Sequence, residues 1–168
     1  MNTNTMTRIS TLAVAIGLAF SANSWAADDT ATQTVGYEVQ EIALIDVSGS
    51  PAAMTITAAP AGQAPTPVTD ATTTYSITNN AGTDSKKITA AINTDMPTGV
   101  TLEVELEAPT GGSSSGKVVL SDEALPVVTG IDNVSEAGMI ITYTLSATAA
   151  AGKVTSASKT VTFTITNS

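Results

Sequence analysis

Beyond residue 26 the chain contains no cysteine, no histidine, no tryptophan and no arginine. Each absence excludes chemistry. Histidine is the usual general base and a common metal ligand. Cysteine is the strongest thiol nucleophile and a zinc ligand. Arginine is the preferred bidentate clamp for phosphates and carboxylates. The composition therefore argues against an enzyme, and no catalytic residue, cofactor or metal site is expected. Without cysteine there are no disulfides, so stability must come from an apolar core, from hydrogen bonding or from neighbouring subunits.

Residues 1–26 read as a secretory signal peptide. Arg8 supplies the basic start, the run LAVAIGLAF over residues 12–20 supplies the apolar stretch, and Ser24 and Ala26 put small residues at −3 and −1 for cleavage before Ala27. The apolar run is well short of the roughly 20 residues a spanning helix needs. No second hydrophobic stretch follows, so no membrane span is expected, and the localisation implied is secreted, extracellular or cell-surface. The mature chain, residues 27–168, has 142 residues, which suits one domain. All 15 acidic residues follow the leader but only five of the six basic ones do, leaving a net charge of −10. Such a surface repels nucleic acid and anionic membranes.

What the mature chain has is alternation. Val35, Tyr37 and Val39 alternate with polar or small neighbours, as do Met54 and Ile56, Tyr75 and Ile77, and Ile88, Ala90 and Ile92. In VTLEVELE, residues 100–107, Val100, Leu102, Val104 and Leu106 fall on one side and Thr101, Glu103, Glu105 and Glu107 on the other. ITYTL (141–145) and VTFTI (161–165) repeat the pattern. Period two places apolar side chains on a buried sheet face and polar ones in water. Threonine, 26 of the 142 mature residues, is the favoured outward residue, and its β-branched side chain suits a pleated surface. Turn clusters separate the runs, among them residues 48–51, 60–67, 79–82, 97–99, 109–116 and 149–152. About eight short strands at this spacing predict an all-β, immunoglobulin-like two-sheet β-sandwich, mostly antiparallel, with a closed barrel as the rival. The segments opening with Thr74-Tyr75 and Thr142-Tyr143 read as two similar hairpins, each leading to a lysine-bearing strand.

The motifs that invite a chemical reading are incomplete. Gly111 to Lys117 (GGSSSGK) matches a phosphate-binding loop up to its lysine, but Val118 stands where Ser or Thr must hold magnesium, and a strand rather than a helix follows. LPVVTG over residues 125–130 is one residue too long for a sortase signal and reads as a turn entering a strand. Asp28-Asp29, Asp122-Glu123 and Asp132 with Glu136 lack the spacing of an EF-hand loop. Glu103, Glu105 and Glu107 lie on the expected solvent face. The aromatics Tyr37, Tyr75, Tyr143 and Phe163 are expected to face inward, which leaves no exposed platform for stacking a sugar.

The N-terminal run ADDTATQTVGYEVQ (27–40) begins polar and small and becomes strand-like at Val35, Tyr37 and Val39, continuing through Ile42, Leu44 and Ile45. It is the longest strand-like run, and its phase shifts near Gln40-Glu41, where a bulge is expected. One reading is an ordinary first strand. The other is a donor strand that completes a neighbour's sheet, which repeated head to tail builds a fibre.

With its leader, its acidic Thr/Ala-rich sandwich and this segment, the mature chain resembles secreted donor-strand fibre subunits, in particular the TasA/camelysin-type biofilm fibre proteins and archaeal bundling pilins. The likeness is one of architecture and composition. It implies that residues 27–40 form the donor segment, with Val35, Tyr37 and Val39 at the subunit interface of a homo-polymer. The missing disulfide argues against assembly through a chaperone and usher. The function expected is a structural subunit of a pilus-like or biofilm-matrix fibre. The alternative is a monomeric adhesin or calcium- or glycan-binding module, and a glycosidase is the enzymatic alternative.

Overall fold

The computed structural model describes residues 30–168; the expected leader and residues 27–29 lie outside the described residues. Residues 39–168 form one compact unit, and residues 30–38 belong to a separate one. The larger unit is all-β, with nine strands: β1 (Ala43–Val47), β2 (Val68–Asn79), β3 (Lys86–Ile92), β4 (Val100–Leu106), β5 (Ser113–Ser114), β6 (Val118–Val119), β7 (Leu125–Ile131), β8 (Val134–Ala147) and β9 (Val161–Asn167). A single 3-10 turn spans Ala149–Ala151.

The strands form two antiparallel sheets, ordered β1-β2-β8-β4-β6 and β5-β7-β3-β9. Both sheets keep open edges, so this is a two-sheet sandwich rather than a closed barrel. The count of nine includes two strands of two residues each, β5 within the Gly/Ser tip and β6 just after it. The period-two pattern dictates the packing. Ile88, Ala90 and Ile92 of β3 and Leu102, Val104 and Leu106 of β4 turn inward and are buried. Glu103 and Glu105 fall on the opposite side of β4, as the alternation requires.

The two expected hairpins are a correction. β2 and β3 lie in different sheets, and so do β8 and β9; each pair is an arch from one sheet to the other. The two arches are interleaved, because β2 pairs with β8 and β3 pairs with β9. The turn after β2 is tight, with Asp84 N–H bonded to the Ala81 carbonyl at 3.3 Å. Yet both edges of β2 are occupied, by β1 and β8, so β3 must pair elsewhere. Buried Asn79 makes the crossing tolerable by donating its amide to the carbonyls of Ile131 (3.2 Å) and Asp132 (2.9 Å). Ile131 is the last residue of β7 and Asp132 lies just beyond it, so these bonds close the end of the sheet.

The β2·β8 ladder slips twice, between Asp70 and Thr73 and between Tyr75 and Ile77. Gly138 sits at the second slip with φ +78°, a conformation that glycine adopts without strain. At the first, the Asp70 carboxylate accepts from Thr72 N–H (3.1 Å) and Thr72 Oγ1–H (2.9 Å). These bonds from Thr72 hold the Asp70 carboxyl below its ordinary range.

One expected strand is absent and another is shortened. Residues 54–56 form no strand, although Met54 and Ile56 are half-buried, Thr55 is exposed and Met54 packs against the core. The alternation there produces packing without a backbone partner. The N-terminal run forms strand only from Ala43, so β2 and β8 are the longest strands and no bulge forms at Gln40-Glu41.

Candidate functional site

Val35, Tyr37 and Val39, the expected interface residues, lie in no strand, and their exposures are 74%, 95% and 79%. Every residue from Thr30 to Ile42 is exposed. Tyr37 corrects the expectation that all four aromatics face inward: Tyr75 and Tyr143 are buried and Phe163 is half-buried, whereas Tyr37 is in water. Alternation says which residues share a side of an extended chain. It does not say whether anything covers that side.

From Val39 onward the backbone is held by one residue. Asn80 donates its side-chain amide to the Gln40 carbonyl (3.0 Å), accepts the Ile42 N–H on Oδ1, and donates its own N–H to the Ile42 carbonyl (3.0 Å). Asn80 thus brackets Glu41 and aligns the chain for β1, which pairs with β2 from Ala43 to Val47. Polar bonds of this kind replace the ladder that the sequence pattern alone predicts.

The sandwich offers four strand edges. β5 and β6 are two residues long, and β1 carries Asp46. β9 is different: seven residues, VTFTITN, with no charge, no proline and no bulge against β3. Short length, charge, proline and bulges are the devices that keep sheet edges from pairing with other chains. Val161, Phe163 and Ile165 of β9 point toward the core but are only half-buried. Among the described residues, β9 pairs with β3 alone.

One charged cluster was not legible in the sequence. Lys86 is 6% exposed, and its ammonium donates to a carboxylate oxygen of Glu41 and to Oδ1 of Asn167. These partners stand 45 and 81 residues away along the chain. Pairing brings them together, because Lys86 and Asn167 are directly opposite in the β3·β9 ladder. No local pattern signals such a contact.

The remaining motifs have structural roles. The Gly111–Lys117 loop is a tip that includes β5, with Gly112 N–H bonded to the Pro109 carbonyl at 2.9 Å. Residues 125–130 belong to β7. The Glu107 carboxylate accepts the Ile140 N–H at 3.0 Å, and the Glu136 carboxylate accepts the Thr110 N–H at 3.2 Å. Glu105 and Glu107 border an open depression with Ser114, Ile140 and Thr142. Among the described residues no three acidic side chains converge as a metal site. No family model matches this chain, and neither the curated proteins nor the solved structures contain a match to it.

Proposed function

We propose that this protein is a secreted structural subunit that polymerises through its N-terminal segment into a pilus-like or matrix fibre outside the cell. The observation that carries the reading is the exposed period-two stripe of Val35, Tyr37 and Val39 on a segment without a strand. Three large apolar side chains in water are costly to leave uncovered, and their spacing is that of one face of a β-strand. The edge of β9 supplies a matching surface, since Val161, Phe163 and Ile165 have the same spacing and are incompletely covered. A strand from a second copy added there gains a backbone ladder and buries both stripes. Because the donor and acceptor surfaces differ, the contact is head to tail and propagates. This mode of assembly is the one implied by the resemblance to donor-strand fibre subunits, and it asks for no catalytic group.

The test is negative-stain electron microscopy of the chain from Ala27. Filaments are expected from the intact mature chain, and soluble monomers from a version lacking residues 27–40. Thr164→Lys puts a charge on the outward side of β9 and is expected to block filaments while leaving the monomer's stability within about 0.5 kcal/mol of the parent's. Monodisperse monomer from the intact mature chain across salt and pH would overturn the reading.

A further inference from the structure

The cluster around Lys86 has the composition of a condensation site. Lys86 is the buried lysine among the described residues. It faces the space between the sheets with Ile88, Ala90 and Ile92, and its side chain is 7% exposed. Its Nζ reaches two groups, the Asn167 carboxamide oxygen and the Glu41 carboxylate. An amine, an amide carbonyl and a proton acceptor therefore meet at one point. The three come from different parts of the fold: Lys86 opens β3, Asn167 closes β9 and Glu41 precedes β1. Each is fixed by its backbone. Lys86 and Asn167 face each other in register, Ser168 N–H extends the pairing to the Ser85 carbonyl at 3.0 Å, and Asn80 brackets Glu41 on both sides. An ion pair with an exposed carboxylate does not require an amide in contact as well. A condensation requires all three groups, held without search, which is what makes an intramolecular reaction effective.

We propose that Lys86 and Asn167 condense into an intramolecular isopeptide bond, with Glu41 relaying the proton. Glu41 accepts a proton from the Lys86 ammonium, freeing the Nζ lone pair to attack Cγ of Asn167. The Nζ–Cγ bond forms and the Cγ–Nδ2 bond breaks. Nδ2 leaves with its own two protons and two of the three from Nζ, one of them through Glu41, as ammonium. Glu41 ends as the carboxylate it began as, one positive charge is present before and after, and nothing is oxidised or reduced. The product staples β9 to β3 in a chain that has no cysteine for a disulfide.

Intact mass spectrometry of the denatured chain from Ala27 tests this, beside Lys86→Arg, Asn167→Ala and Glu41→Gln made in the same way. Lys86→Arg keeps a cation but has no primary amine. The parent is expected to be lighter than its sequence mass by one ammonia, with a fragment joining the peptides that contain residues 86 and 167. Lys86→Arg and Asn167→Ala are expected at full sequence mass. Glu41→Gln, which retains both reacting groups, is expected to lose most of the condensation while a melting curve shows that it folds. If Glu41→Gln does not fold, Glu41→Asp replaces it, with slowed condensation expected. A parent at full sequence mass, or a link joining any other pair, overturns the bond. Complete condensation in folded Glu41→Gln overturns the relay. The outcome is independent of whether filaments form.

Discussion

Tyr75 shows how much one side chain can be asked to satisfy. Its ring is buried in the core at 1% exposure, while its hydroxyl donates to the Glu107 carbonyl. Burial, reinforced by the Glu107 and Glu136 carboxylates, pushes its phenol far above the ordinary value of 10. Burial, with a contribution from Asp70, pushes the Tyr143 phenol up to about 12. Both folded values lie above the unfolded one, so the folded state holds these protons more tightly. The stability they contribute is complete below pH 10 and is lost as pH rises toward and through the folded values. A melting temperature steady from neutral to mildly alkaline pH and falling above pH 10 is the expected profile. Tyr75→Phe, which keeps the ring and removes the hydroxyl, is expected to cost about 1 kcal/mol at neutral pH and to flatten the alkaline fall. Chemical denaturation at two pH values measures both effects. Asp70 acts with the opposite sign. Its folded value lies below 3.8, so its contribution is present above that pH and lost as pH falls through the lower folded value.

At the scale of elements, the connections are as constrained as the strands. Gly99 precedes β4 at φ +79°. A Cβ there would stand 2.7 Å from the backbone nitrogen of Ala151 and 2.8 Å from Thr148 Oγ1. The Gly99 carbonyl also accepts the Thr148 N–H at 2.8 Å. The turn before β4 is thus packed directly on the 3-10 turn after β8. Gly99→Ala combines a left-handed backbone penalty with a steric clash against backbone atoms, and is expected to destabilise by about 2 kcal/mol. The same substitution at Gly116, which also has positive φ but open space around it, is expected to cost about half as much. Urea midpoints of the two variants give the comparison. Gly99 was legible in the sequence as part of a turn cluster, but the requirement for close approach was not, because its neighbours come from residues 148–151.

At the scale of the molecule, charge opposes the proposed assembly. Residues 27–168 carry a net −10, so copies repel one another at low ionic strength. The charges are unevenly spread. Residues 27–41 hold four acidic side chains and no basic one, whereas residues 137–168, which include β9, hold Lys153 and Lys159 and no acidic one. The proposed donor and acceptor regions are therefore of opposite sign within an acidic whole. Added salt screens the general repulsion over about 10 Å at 0.1 M. Filament growth followed by light scattering is expected to accelerate from very low to moderate salt and to slow again once the local attraction is screened. Growth unaffected by salt would show that charge takes no part in the assembly.

Local pattern determined a good deal of this protein. Alternation in residues 100–107, 141–145 and 161–165 specified strands and which side of each is buried, since a strand has only two faces and apolar groups take the dry one. Composition specified the absence of disulfides. Tertiary structure decided which strands are neighbours, and so turned two expected hairpins into interleaved arches. It left Met54 packed on the core but unpaired, Ile56 half-buried, and Tyr37 exposed. Only the tertiary fold brought Lys86 beside both Asn167 and Glu41. The physical reason is the same throughout. Period and propensity act between residues a few positions apart, whereas coverage of a face and convergence of side chains depend on segments whose separation in sequence carries no signal.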